Sequence, residues 1–292
     1  MIAQKGPGFI FRHNFIYEAF DGVQARGVHP DLVRELPDLP SDLSYNVIMN
    51  CIDNNLELDA WDRRANTRVH HNLVVNGSSL LSCAPIQGGP LMVDHNIFFN
   101  APENGLHGGY LLKHNQPASP QKLNTGLTVV HNTFVTPYKL LWTDEWFPPE
   151  YGSNTIENNI MLVDTSAAWQ RDGFTPTAHN LLWGKNTDAS HIAGAVHADP
   201  GFASTEPYDF HLSPQSPAID AGVNRDAEYH HNSVGGTDLG AIEFGTRWSM
   251  PKPGPRWGNR DTLPGRPGFP PSLPVHWAGF TLEDVGVLEI LP

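Results

Sequence analysis

Basic residues are scarce in this 292-residue chain: 18 Lys and Arg stand against 31 Asp and Glu, a formal net charge of −13. That balance argues against nucleic acid or an anionic membrane surface as a partner, since both attract cationic faces. Cysteine is nearly absent. Cys51 and Cys83 are the only two, too few for a disulfide framework. They fall at different places relative to the repeated phrase described below and read as two buried thiols. No apolar run reaches the roughly 18 residues that a membrane span needs. The start, MIAQKGPGF, lacks the apolar core of a signal peptide. Helical periodicity is missing too, and apolar residues come in short alternating runs rich in β-branched and aromatic types. Turn formers are abundant, with 27 Gly and 26 Pro.

What is present is a phrase that returns. TRVHHNLVVN (67–76) has further copies in FIFRHNFIYE (9–18), NVIMNCIDN (46–54), LMVDHNIFFN (91–100), LTVVHNTFVT (127–136), NTIENNIMLV (154–163) and TAHNLLWG (177–184). Aligned on Asn14, Asn50, Asn72, Asn96, Asn132, Asn159 and Asn180, the copies are spaced 36, 22, 24, 36, 27 and 21 residues apart. A period near 22 with insertions is too short for a helical-pair solenoid and suits one coil of a parallel β-solenoid. One coil cannot bury its own apolar face, so coils pile up, with strands about 4.8 Å apart and equivalent side chains superposed. Asn before an apolar pair suits a sharp turn. It tolerates the left-handed conformation, and its amide can bond to the Asn above and below. Parallel strands are expected near residues 10–16, 46–52, 68–74, 92–98, 128–134 and 155–161.

These asparagine-ladder phrases resemble those of right-handed parallel β-helix proteins, the pectate-lyase-like superfamily, over residues 9–184. The resemblance implies an all-β fold: a right-handed parallel β-helix, or single-stranded β-solenoid, with an irregular C-terminal extension. DPGF (199–202), YDFHLSPQSPAIDAG (208–222) and DLGAIEF (238–244) resemble the tail that closes many secreted bacterial β-helix proteins. The resemblance places the chain in a secreted or periplasmic bacterial setting, its signal peptide not present in this sequence.

Two domains follow: residues 1–245 as the β-helix and residues 246–292, rich in Pro, Gly and Trp, as the irregular extension. The sequence opens inside a coil, so residue 1 is expected not to be the native start, with a leader, a cap and earlier coils preceding it. Residues 21–27 should form the next strand of the first coil. The Pro-rich, acidic stretch 28–44 reads as a loop with one helical turn. A helical turn is also expected at Ser216–Pro217, and residues 282–291 as an edge strand.

Aligning the coils puts four strand centres in register: Val23-Gln24-Ala25, Leu56-Glu57-Leu58, Leu81-Ser82-Cys83 and Leu112-Lys113-His114. By period-two alternation, Gln24, Glu57, Ser82 and Lys113 form one outward column, and Arg26, Asp59, Ala84 and Asn115 the next. Glu57 and Asp59 then point the same way, roughly 6.5–7 Å apart. That separation suits an acid–base pair with a water between its members. The cluster with Asp53 and Asp62 equally suits Ca²⁺, held by Asp53, Glu57 and Asp59, and a solvated strand face is the third reading. Lys113 is a candidate general base about 10 Å from Glu57. Gln24, Arg26, Arg64, Trp61, Trp142 and Trp146 are candidate substrate contacts, the arginines for a carboxylate and the aromatics as platforms for sugar rings. His107, in LHGG, is a titratable loop tip, and a His-Gly pair near carboxylates resembles the polygalacturonase-like hydrolases. His13, His71, His95, His131 and His179 precede ladder asparagines and read as one recurrent outward turn position.

Within the resembled superfamily these residues point to a carbohydrate-active enzyme that cleaves a polysaccharide or oligosaccharide in a groove along one sheet. The chemistry would be β-elimination, with Ca²⁺ as the associated cofactor, or hydrolysis. The alternatives are a non-catalytic carbohydrate-binding, adhesin or tailspike-like β-helix, and an epimerase of uronate polymers.

Overall fold

Alternating apolar residues at a period of two dictate strands, and the strands of successive coils find each other in parallel. The computed structural model describes residues 2–5, 8–26, 39–59, 66–83, 87–100, 110–113, 125–136, 141–142, 154–163, 179–184, 194–204, 208–224 and 235–246. All pairings between named strands are parallel. The fold is an all-β parallel β-helix. No helix among the described residues is long and apolar enough to cross a membrane.

Among the described residues the strands fall into three stacks. The first contains Ile10–Arg12, Ser41–Ser44, Thr67–His70, Gln87–Asp94, Thr125–Val130 and Thr155–Glu157. The second begins just after the ladder asparagines, with Phe15–Tyr17, the leading halves of Val47–Glu57 and Leu73–Ser82, Ile97–Phe99, Thr133–Thr136, Ile160–Val163, Leu181–Trp183 and Val196–His197. The third holds Ile2–Lys5, Val23–Arg26, the trailing halves of Val47–Glu57 and Leu73–Ser82, Tyr110–Lys113 and Leu141–Trp142. The second and third stacks join because two long strands run through the bend between them, where the register shifts between Cys51 and Asn54. Ser41–Ser44 corrects the expectation of a loop through 28–44, since it pairs with both Ile10–Arg12 and Thr67–His70.

The asparagine ladder is present, with one member different from the expectation. Its order is Asn14, Asn46, Asn72, Asn96, Asn132, Asn159 and Asn180. Asn46 stands where Asn50 was expected. NVIMN carries an Asn at each end, and only the first precedes the in–out pair that enters the second stack. Asn50 lies at the next bend instead, accepting from Asn76 Nδ2 at 3.2 Å. Each ladder amide is heavily used. Asn96 Nδ2 reaches Val69 O at 2.9 Å, Asp94 O at 3.0 Å and Asn132 Oδ1 at 3.0 Å. Its Oδ1 accepts from both the backbone N–H and Nδ2 of Asn72, each at 2.9 Å.

The left-handed residue of this turn is the one before the ladder Asn. His13, Tyr45, His71, His95, His131, Asn158 and His179 have φ between 52° and 60°. Histidine and asparagine are among the residues that accept this conformation most readily. The turn brings the rings into a column: His13–Tyr45, Tyr45–His71, His71–His95 and His95–His131 stack at 5.2, 5.0, 5.1 and 5.1 Å.

Apolar residues fill the solenoid, among them Leu43, Ile48, Val69, Val74, Phe98, Val129, Phe134 and Ile156. Phe98 and Phe134 stack at 5.0 Å. The second stack is apolar on its outer face as well, through Val47, Leu73, Ile97, Val75, Phe99, Val135 and Leu162. Residues 208–224 and 235–246 cover that face with Phe210, Leu212, Ala218, Leu239, Ala241 and Ile242. Gly240 N–H donates to Asn158 O at 2.9 Å, and a Cβ at Gly240 would lie 2.7 Å from Ile160 Cδ1. Its φ of +95° adds a second reason for glycine there. The expected helical turn at Ser216–Pro217 is a hydrogen-bonded turn, with Ala218 N–H on Ser216 Oγ at 3.1 Å. Among the described residues of this tail, Phe202 and Leu212 form an antiparallel bridge. Residues 247–292, including the expected edge strand 282–291, lie outside the described residues.

Candidate functional site

The third stack carries the column read from the sequence. Leu56 pairs with Val23 and Leu81, and Leu81 pairs with Leu112. Val23, Leu56 and Leu81 are buried in the core, so the neighbours Gln24, Glu57 and Ser82 fall outward. Gln24 pairs with Glu57, Glu57 with Ser82, Ser82 with Lys113, and Lys113 with Trp142. By register, Gln24, Glu57, Ser82, Lys113 and Trp142 occupy one column. Two rungs separate Glu57 from Lys113, about 10 Å.

Glu57 ends the strand Val47–Glu57, and Asp59 follows it past the buried Leu58. Their exposures are 5 % and 8 %, which replaces the solvated strand face with an enclosed one. Gln24 Nε2 donates to Glu57 Oε2 at 2.8 Å, and Ser82 Oγ donates to Asp59 Oδ1 at 2.9 Å. Cys83 beside them is fully buried, and burial together with the Asp59 charge pushes its thiol well above the ordinary range. Cys51 is buried too, its thiol pushed up to about 12 mainly by burial. Both cysteines are free.

Asp21 was missed by sequence reasoning and belongs to this cluster. Its Oδ2 accepts from Gln24 Nε2 at 2.7 Å, and its Oδ1 from the Asn54 N–H at 3.2 Å. The signal was available: Asp21-Gly22 occupies the bend before Val23 as Asn54-Asn55 occupies the bend before Leu56. Of the other expected site residues, Arg26 ends the strand Val23–Arg26 opposite Lys5. Asp53 sits at the bend, its N–H on Phe20 O at 2.9 Å. Trp61, Arg64, His107 and Trp146 lie outside the described residues, as do most of the loops 28–44 and 101–124 expected as groove walls. Among the described residues, no three His, Cys, Asp or Glu side chains converge to hold a metal ion.

A second charged group lies on the outer face of the first stack, next to the ring column. Arg68 makes two bonds to Asp94, Nε to Oδ1 at 2.9 Å and a terminal nitrogen to Oδ2 at 2.6 Å. His95 Nδ1 meets the same carboxylate at 2.8 Å. Burial would raise Asp94, but the bonds from Arg68 and His95 outweigh it and hold the carboxyl well below the usual range. Asp42 is held low likewise, against burial, by Arg12, Ser44 and His70. His71 is pushed down to about 3, first by burial and then by His95 and His70. Its Nδ1 lies 2.8 Å from His70 Nδ1, so one of the two rings supplies the proton. The residues of this group come from separate coils, 24 to 30 positions apart across each rung, and no local pattern announces them.

No family model matches the chain, and no curated protein does. Among solved structures, pectate lyase Pel9A is similar over 83% of this chain and 69% of its own, with 13% sequence identity and a TM-score of 0.42. The assignment of the β-helix rests on the parallel stacks themselves.

Proposed function

We propose that this chain is a carbohydrate-active enzyme that cleaves a polysaccharide along the third stack, by β-elimination or hydrolysis, in an extracytoplasmic setting. The enclosed carboxylate pair Glu57 and Asp59 carries the proposal. Burying two carboxylates costs free energy that a purely structural strand avoids, and their partners Gln24 and Ser82 hold them in fixed orientations. The strand spacing leaves room for a water between them, as hydrolysis with inversion requires. Elimination would use one carboxylate, or Lys113 two rungs away, as the base. The strongly acidic chain suits a neutral polymer, or an acidic one met by the local cations Arg26 and Lys113.

A polysaccharide panel read by ultraviolet absorbance of unsaturated uronate ends and by reducing sugar tests this. Rising absorbance identifies elimination, and reducing ends alone identify hydrolysis. Glu57→Gln keeps shape and removes the proton-transferring group, so turnover should fall by about 10²–10⁴-fold with ligand binding retained. Turnover unchanged in Glu57→Gln would remove the pair from the mechanism. Binding without turnover on every polymer would leave a carbohydrate-binding β-helix. A chelator arm with Ca²⁺ re-addition checks metal dependence.

A further inference from the structure

We infer that Phe20 and Ile52 form a ledge that seats a pyranose ring of the polymer beside the third stack, a binding subsite one bend away from Glu57. The inference rests on the proposed function above and adds a substrate contact to it. The chain entering this bend alternates with period two. Ala19 packs against the core and Cys51 is fully buried in it, so the residue after each faces outward. Tyr17 pairs with Met49, and Ile52 N–H donates to Ala19 O at 2.9 Å, which sets Ile52 opposite Phe20 on the next rung. The two side chains are therefore superposed about 4.8 Å apart. Both stay in solvent: Phe20 is 61 % exposed and Ile52 42 %. One rung further, Gly77 pairs with Cys51, and the polar Ser78 that follows Gly77 closes the column.

A single exposed apolar side chain is ordinary on a protein surface, whereas two superposed ones make a patch. Size selects its occupant. Two side chains fall far short of the roughly 800 Å² that each partner contributes to a specific protein interface. They match one face of a sugar ring, whose C–H groups pack on an aromatic plane while its hydroxyls point sideways. Polar groups stand on either side of the ledge: Glu18 is exposed before Phe20, and Asp53 is half-buried after Ile52. The ledge is also continuous with the proposed site. Phe20 runs straight into Asp21, whose Oδ2 takes Gln24 Nε2 at 2.7 Å, and the same nitrogen reaches Glu57 Oε2 at 2.8 Å. Phe20 and Gln24 are four positions apart, at most about 14 Å of chain, so a polymer lying across Glu57 reaches the ledge within a few units.

Two measurements test the ledge. On a polymer that the panel shows to be cleaved, Phe20→Ala should raise KM about tenfold with kcat within about twofold of wild type, as expected for binding shared by ground state and transition state. Phe20→Tyr keeps the plane and should restore the wild-type KM, while Phe20→Leu, apolar but not flat, should fall between. The denaturation midpoint of Phe20→Ala should match wild type, because an exposed ring leaves no cavity behind. An unchanged KM in Phe20→Ala, or a raised KM that only follows a lowered midpoint, would overturn the ledge. The second measurement needs no turnover. In protein with ¹³C-labelled phenylalanine, the Phe20 ring signals, assigned by their loss in Phe20→Leu, should shift on adding a panel polymer or a hexamer of glucose or of galacturonic acid. Ring signals unmoved by every polymer and by both hexamers overturn it. Signals that move instead with protein concentration, together with a rising sedimentation coefficient, give the patch to a second copy of the chain and overturn it equally. If no polymer is cleaved but sugar moves the Phe20 signals, the proposed turnover fails and the ledge stands as a subsite of a carbohydrate-binding β-helix.

Discussion

Two columns run along this solenoid, each contributing one side chain per coil, and they are built on opposite plans. At the ladder turn the same residue returns at Asn14, Asn46, Asn72, Asn96, Asn132, Asn159 and Asn180, and each amide is satisfied by its neighbours in the column and by the adjoining backbone. On the third stack the column reads Gln24, Glu57, Ser82, Lys113 and Trp142, a different chemistry at every rung. A repeated column serves the stacking of coils, because identical groups at strand spacing bond to each other. A column that never repeats has no ladder, only particular pairs such as Gln24 with Glu57. Its residues are chosen for what they do at one rung.

Breaking the ladder should have the largest effect on stability. Asn96→Ala strips partners from the Asn72 N–H and from the carbonyls of Val69 and Asp94, all buried. A loss of about 4 kcal/mol is expected in chemical denaturation, from several unsatisfied groups at 1–3 kcal/mol each. A loss below 1 kcal/mol would deny the ladder its role. Acid should come next. Asp94 is held below the usual carboxylate range, so its stabilisation is complete above the unfolded value near pH 4 and is lost as the pH falls further, by on the order of 2 kcal/mol. His71 works over a higher window. With its folded value at about 3, the unfolded chain takes up that proton first, and stability drains as the pH falls from about 6.5 toward 3. Denaturation midpoints across pH should fall through both windows. Asp94→Asn should weaken the lower window, to which Asp42 also contributes, and His71→Asn should weaken the upper.

Asn50→Ala sharpens the same contrast within a single strand. Asn50 is left-handed, with φ 56°, and its side chain accepts one bond, from Asn76. A loss of about 1 kcal/mol is expected, well short of Asn46→Ala; equal losses would restore Asn50 to the ladder. Smallest of all should be the stability change in Glu57→Gln. Its new amide oxygen can still accept from Gln24, so the denaturation midpoint should stay within about 0.5 kcal/mol of wild type while turnover collapses.

Much of this was legible before any coordinates. Period-two alternation around Leu56, Leu81 and Leu112 put Glu57, Ser82 and Lys113 in one column, because identical strands stacked in parallel leave little choice of register. The slip from Asn46 to Asn50 has an equally local cause. Two asparagines flank VIM, and only contact with Asn72 on the next coil distinguishes them. Asp21 lay beyond reach for the same reason: its meaning comes from Asn54, 33 residues later. The networks of Asp42, His70, Arg68 and Asp94 likewise join side chains that are distant in sequence.

By itself, then, the sequence determined most of the strands, the parallel stacking and six of the seven ladder asparagines, since these follow from a pattern repeated along the coils. The tertiary structure alone decided what crosses between coils or returns from the tail. It laid residues 208–224 and 235–246 over the apolar outer face of the second stack, and it enclosed the polar residues Glu57 and Asp59, leaving them 5 % and 8 % exposed. Burial and long-range hydrogen bonds depend on which segments meet, and a repeat pattern fixes the coil without saying what comes to cover it.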